Sequence, residues 1–73
     1  MELTKQFVLA VEEGVYALRA QAHALANSET AKDDTTAGRV VREGAESSLQ
    51  TSDLLHGWAK RAREAVGLPP LET

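Results

Sequence analysis

The sequence contains no cysteine and few aromatic residues, with one phenylalanine, one tyrosine and one tryptophan among its 73 residues. The absence of cysteine excludes disulfides and thiolate metal sites, and it fits a reducing compartment, so we expect a cytoplasmic protein. Isoleucine is also absent, whereas alanine occurs twelve times. Alanine favours helix formation but buries little apolar surface per residue. The composition therefore favours helices over a thick hydrophobic core.

An excess of basic charge and a long apolar run are also missing. The formal net charge is -3, which argues against the basic surface that is typical of nucleic-acid-binding proteins. No apolar run approaches the roughly 20 residues that a transmembrane helix needs, and residues 1–5 lack the layout of a signal peptide. We therefore expect no membrane association.

A chain of this length forms at most one domain and buries only about 60% of the surface that its unfolded form exposes. Such small domains are commonly stabilised by disulfides, by a metal or by oligomerisation. Cysteine is absent and only two histidines are present. Oligomerisation is therefore the stabilisation that we expect, and we predict no cofactor.

Small apolar residues recur at alternating three- and four-residue steps, a pattern that predicts two amphipathic helices. Helix one is predicted at residues 2–26 and helix two at residues 31–66, with a turn at residues 27–30. Residues 1–68 would form a single helical domain, followed by a disordered tail at residues 69–73. The predicted contact seams are Val8, Val11, Val15, Leu18, Ala22 and Leu25 in helix one, and Ala37, Val41, Gly44 or Ala45, Ser48, Ser52, Leu55, Ala59, Ala62 and Val66 in helix two.

Capping residues define the predicted ends of helix two. Thr30 followed by Asp33 approximates a capping box at its start. Gly67 suits the left-handed position that ends a helix, and Pro69-Pro70 forbid its continuation. The segment Thr51-Ser52-Asp53 also has the pattern of an N-cap, so a break near residue 50 and a three-helix monomer are an alternative. The apolar phase runs through that point without a shift, which favours one long helix.

These elements predict an all-α fold, an antiparallel helical hairpin that dimerises into a four-helix bundle. With a short turn, helix one would end before helix two, and the last three turns of helix two would extend beyond it. An apolar segment that carries the only tryptophan should not remain exposed to water, so we expect a partner to cover it. We therefore predict a partner-binding surface consisting of Leu55, Trp58, Ala59, Ala62 and Val66, used by a second copy or by another protein.

No metal or catalytic site is predicted. His23 and His56 lie one on each helix, and Asp53 stands three residues before His56, but structural metal sites need three or four converging ligands. The acidic residues are not accompanied by a nucleophile, a base or a phosphate-binding loop. The chain is therefore expected to be no enzyme. An alternative function is a dimeric nucleic-acid-binding regulator that uses basic residues of helix two, namely Arg39, Arg42, Lys60, Arg61 and Arg63.

One short segment resembles a motif of the small helical antitoxins that inhibit Fic-domain enzymes, which is Ser/Thr-x-x-x-Glu-Gly/Asn on a helix. Glu43-Gly44 match the end of that motif, whereas Arg39 stands where Ser or Thr is required. The resemblance implies a third possible function, an antitoxin-type enzyme inhibitor, and assigns no inhibitory role to Glu43. The principal prediction is a small non-enzymatic helical interaction protein, which acts by dimerising or by docking the C-terminal end of helix two on a protein partner.

Overall fold

The computed structural model describes residues 2–71, which form two antiparallel helices. Helix α1 spans Lys5–Ala26 and helix α2 spans Thr36–Ala65, and the two pack against each other. The predicted all-α hairpin is thus confirmed. Because α2 is continuous through residue 50, the three-helix alternative is wrong. The hairpin measures 48 × 27 × 15 Å, and its radius of gyration of 15.3 Å exceeds the roughly 11 Å of a compact domain of this length.

Helix α1 begins at Lys5, three residues later than predicted, because Thr4 supplies the N-cap. The Thr4 hydroxyl accepts a hydrogen bond from the Phe7 amide at 3.1 Å, which satisfies one of the free donors at the helix start. At the other end, the Asn27 amide donates to the His23 carbonyl, and Ser28 donates its hydroxyl to the Leu25 carbonyl. The end of helix one is therefore where the sequence predicts it.

The connection between the helices is longer than the predicted turn at residues 27–30. It runs over residues 27–35 and contains a 3-10 turn, Thr30–Lys32. The N-cap of α2 is Thr35, whose hydroxyl accepts from the Gly38 amide at 3.0 Å, and not Thr30. The prediction was wrong because Thr30 starts its own 3-10 turn, in which its carbonyl accepts from the Asp33 amide at 3.1 Å.

Two residues of α2 hold this connection against the helix. The Arg42 guanidinium donates to the Ala31 carbonyl at 2.6 Å and to the Asp33 carbonyl at 3.0 Å. Gly38 allows the close approach, since a Cβ atom there would lie 2.7 Å from the Thr30 carbonyl oxygen and closer still to that of Asp33. The 3-10 turn therefore packs on the start of α2, and its middle residue, Ala31, is buried.

The C-terminal end of α2 confirms the predicted helix stop. Gly67 has a φ of 80°, the left-handed conformation that glycine adopts at low cost. The Leu68 amide donates to the Arg63 carbonyl at 2.9 Å, and the Gly67 amide donates to the Glu64 carbonyl at 3.3 Å. This pair of hydrogen bonds is a Schellman motif. In the predicted tail, the Pro69 carbonyl accepts from Arg63 at 2.6 Å, and residues 72–73 lie outside the described part of the chain.

The core between the helices is built from small side chains. The buried apolar residues of the described chain are two valines and five alanines, namely Val8, Val15, Ala22, Ala31, Ala45, Ala59 and Ala62. Ser52 is fully buried on the same seam, where its hydroxyl donates to the Leu49 carbonyl at 2.7 Å. The predicted seams are confirmed at these positions apart from Ala31, which belonged to neither predicted seam, and Gly38 is buried in place of the exposed Ala37. Within residues 2–71, no leucine, phenylalanine, tyrosine or tryptophan is buried.

The predicted extension of α2 beyond helix one is wrong. Phe7 in the first turn of α1 packs against Trp58, with ring centroids 5.9 Å apart, and Glu12 pairs with Arg63. Helix α1 therefore runs alongside the last turns of α2. The longer connection delays the start of α2, so the additional length of α2 lies at its N-terminal end, where the 3-10 turn covers it.

Candidate protein-binding face

Three side-chain contacts between the helices lie on two different long faces of the hairpin. The edge-to-face pair of Phe7 and Trp58 lies on one side of the core seam. The ion pairs Glu12–Arg63 and Arg19–Asp53 lie on the other side. On α1, Phe7 and Glu12 fall on opposite flanks of the stripe formed by Val8 and Val15, as the 100° rotation per residue requires.

The charged face is organised around Glu12 and Arg63. Both side chains are only 10% and 12% exposed, respectively, and Arg63 donates through Nε and Nη2 to the two carboxylate oxygens, at 2.9 Å for the Nη2–Oε1 contact. The hydrogen bonds from Arg63 lower the pKa of Glu12, against the opposing effect of burial. Arg19 and Asp53 form a second, exposed pair at 3.2 Å. The charges of these two pairs are thus satisfied within the chain.

The opposite face carries no charged side chain at its centre. We call it the apolar face and define it by Phe7, Val11, Gly14, Leu18 and Leu25 of α1 and by Gly44, Ser48, Thr51, Leu55 and Trp58 of α2. These residues follow three- and four-residue steps along each helix, so they share one side. Most of them are half-buried, and Phe7 is 38% exposed. Phe7, Leu18 and Leu55 therefore remain partly open to solvent on this side, whereas the most exposed large apolar side chains, Leu54 at 77% and Tyr16 at 65%, lie outside the apolar face.

Two glycines interrupt the apolar face without a role in the hairpin itself. A Cβ atom at Gly14 or at Gly44 would meet no neighbouring atom within 4 Å. Glycine inside a helix costs about 1 kcal/mol relative to alanine, because it loses more backbone freedom on folding. These two positions are thus open depressions between bulkier neighbours, one on each helix.

The five residues predicted to bind a partner divide into two groups. Leu55 and Trp58 are half-buried and lie on the apolar face, whereas Ala59 and Ala62 are buried between the two helices of the same chain. Val66 is the C-cap residue of α2 and is half-buried. The assignment of these residues to a partner surface stays a prediction, and three of them, Trp58, Ala59 and Ala62, are already engaged within the hairpin.

The five basic residues of the alternative prediction are not brought together. Arg42 and Arg63 are engaged with the connection and with Glu12. Arg39, Lys60 and Arg61 are exposed. Arg39 and Lys60 are 21 positions apart on one helix, which corresponds to about 32 Å. Nucleic-acid binding by these residues stays a prediction without a continuous basic patch to support it.

Neither histidine has the surroundings of a metal ligand. Asp53 pairs with Arg19 at 3.2 Å, and within the described residues no group of three or more potential ligands converges. A depression of about 380 Å³ is lined by Asp34, Thr35, Thr36, Arg39 and Arg42, and the Thr35 hydroxyl there caps α2. Glu43, the residue of the antitoxin motif, is exposed on α2, and the inhibitor prediction stays untested.

Sequence reasoning did not identify the Glu12–Arg63 pair or the Phe7–Trp58 contact. A signal for the first existed, because Glu12 follows Val8 by four residues and precedes Val15 by three, in phase with the core. Arg63 likewise follows Ala59 by four residues. A charged residue in phase with each seam indicates a buried ion pair, but the partner depends on the register, and the register depends on the length of the connection.

No family model, curated protein or solved structure matches this chain. Among residues 2–71, neither helix combines the length and the apolar character that crossing a membrane requires. A functional conclusion must therefore come from the geometry of the hairpin, and the apolar face is its most distinctive surface.

Proposed function

We propose that this protein is a small, non-enzymatic helical interaction protein that binds protein through its apolar face. The partner helices complete a bundle, either from a second copy or from another chain. One observation carries the proposal: within the described residues, the apolar side chains of the core are all valine or alanine, while the large apolar side chains stay at least partly exposed.

The side chains of the apolar face gain free energy when a partner buries them. Complete burial of a leucine or phenylalanine side chain contributes about 1.5–3 kcal/mol relative to full exposure. Phe7, Leu18, Leu55 and Trp58 are only partly covered in the hairpin, so a partner surface would gain a share of this energy from each. Tryptophan is among the residues most enriched in the energetic centres of interfaces. The arrangement suits protein binding.

This proposal moves the predicted binding surface from the end of α2 to one whole side of the hairpin. Leu55 and Trp58 remain within it, and residues of α1 join them. The absence of cysteine in the sequence supports an intracellular, reducing location as part of the same proposal. For catalysis we find no supporting arrangement among the described side chains, so the proposal assigns binding alone.

Photo-crosslinking at two exposed glutamines tests the proposal. Gln21 borders the apolar face, seven residues after Gly14, whereas Gln50 lies on the solvent side of α2. Each is replaced in turn by p-benzoylphenylalanine, and the protein is irradiated in cells that express it. Discrete protein adducts are expected from position 21 and not from position 50. Equal adducts from both positions, or none from either, would contradict binding through this face.

A further inference from the structure

We infer that the partner on the apolar face is a second copy of this chain, in a two-fold symmetric four-helix bundle. The inference rests on the proposed function and names its partner. In such a dimer the same face of each copy is buried against the other, because a two-fold interface is formed by the same patch on both subunits. Four features support a second copy as the occupant.

The first feature is the size of the face. Helices α1 and α2 contain 22 and 30 residues, so they are about 33 and 45 Å long, and side by side they are about 20 Å wide. Such a face offers an area comparable to the roughly 800 Å² per partner that stable interfaces bury. A second hairpin, with the same dimensions, would cover the whole face, whereas a single short peptide would leave much of it open.

The second feature is the weakness of the core. The hairpin has a thickness of 15 Å, which corresponds to one layer of helices. Its two buried valines and five buried alanines, counted over residues 2–71, remove little apolar surface from water. A chain that needs a second layer in order to fold needs a partner as soon as it is made. The only partner always present at that moment is another copy of the same chain.

The third feature is the distribution of charge. The chain carries a net charge of -3, so the overall electrostatic interaction between two copies is repulsive. The ten residues that define the apolar face are uncharged. Contact through this face is therefore the arrangement that brings two copies together without opposing like charges at its centre.

The fourth feature is the pair of open glycines. Gly14 and Gly44 provide depressions on α1 and α2 that no atom of their own chain fills. In an isolated hairpin, alanine would serve better at both positions. A second hairpin packed on the face would place its own side chains in these depressions. Packing against a partner would thus explain why glycine, and not alanine, stands at both positions.

Sedimentation equilibrium of the purified chain and of two matched variants tests the inference. Gly14→Glu and Gly57→Glu add the same charge to a helix, and neither new Cβ atom would clash, because the nearest atom is 3.8 Å away at Gly57 and more than 4 Å away at Gly14. Gly57 is half-buried like Gly14 but lies outside the residues that define the apolar face. We expect the wild type to be dimeric at about 100 µM, Gly14→Glu to weaken the dimer at least about tenfold, and Gly57→Glu to leave it within about threefold.

Acrylamide quenching of Trp58 provides a second measurement that needs no variant. In the dimer Trp58 is covered, so dilution of the wild type should increase its quenching.

An unfolded Gly14→Glu variant beside a folded Gly57→Glu variant also supports the inference, since a glutamate at position 14 fits the isolated hairpin. A folded monomeric wild type at about 100 µM, or a dimer that both variants leave unchanged, would overturn it. In the first case, adducts to a different protein at position 21 would leave the proposed function intact.

Discussion

Glu12 makes the stability of the packed helices depend on pH. Its carboxylate is held by two hydrogen bonds from Arg63 in a site where both side chains are about nine-tenths covered. The pairing lowers the pKa of Glu12 below its ordinary value of 4.5. The folded state therefore binds this proton less readily than the unfolded chain does. The contribution to stability is present above pH 4.5 and is lost as the pH falls through the lowered pKa.

We accordingly expect the free energy of unfolding of the wild type to fall as the pH is lowered below 4.5, and to fall less steeply in Glu12→Gln. The amide of glutamine keeps one acceptor for Arg63 but cannot be protonated in this range. Denaturant titrations at a single protein concentration, over a series of pH values, measure the difference. Glu13→Gln, at the exposed neighbouring position, is the control and should retain the wild-type slope. Identical slopes for Glu12→Gln and the wild type would contradict the coupling.

The connection and helix α2 form one packed unit at the scale of secondary structure. The sequence predicted both helices, the uninterrupted course of α2 and its glycine stop, because these follow from local periodicity and from the chemistry of Gly67. It did not predict the 3-10 turn, because Thr30 and Thr35 are equally good N-caps locally. The choice between them is made by contacts distant in sequence, in which Arg42 reaches two carbonyls of the connection.

The choice of Thr30 instead of Thr35 as the N-cap determined where the prediction placed helix two relative to helix one. A turn ending at residue 30 places the apolar end of α2 beyond α1, whereas a connection ending at residue 35 brings α1 alongside it. The predicted binding surface therefore included Ala59 and Ala62, which are buried within the hairpin, and omitted Gly14 and Leu18. The residues of the apolar face could be predicted from the sequence only if the register between α1 and α2 was predicted as well.

Gly38 provides the test of this packed unit. An added Cβ atom would overlap the backbone carbonyls of Thr30 and Asp33, so the connection would have to move away from α2. We expect Gly38→Ala to lower the free energy of unfolding by about 1–3 kcal/mol, the range for overpacked positions. Gly57→Ala is the matched control, since its Cβ atom has room, and it should raise stability by up to about 1 kcal/mol. Denaturant titration at fixed concentration measures both. A Gly38→Ala variant as stable as the wild type would show that the connection does not pack on α2 in this way.

At the scale of the whole molecule, the hairpin is one helical layer with two unequal faces. The charged face satisfies its buried ion pair internally, whereas the apolar face leaves its largest side chains half-covered. A thin hairpin of this kind gains stability from a second layer, because that layer removes from water the apolar side chains that a single hairpin leaves partly exposed. We therefore expect the hairpin to associate through the apolar face, and we expect folding and association to be coupled.

The thermal unfolding of the wild type over a range of concentrations tests that claim most directly. Circular dichroism from about 1 µM to about 100 µM should show a midpoint that rises with concentration, because mass action favours the folded dimer by about 2.7 kcal/mol over such a range. For a chain of this size the rise should amount to several degrees. A cooperative transition whose midpoint does not change across this range would contradict the account, since it would mean that the single hairpin is stable alone.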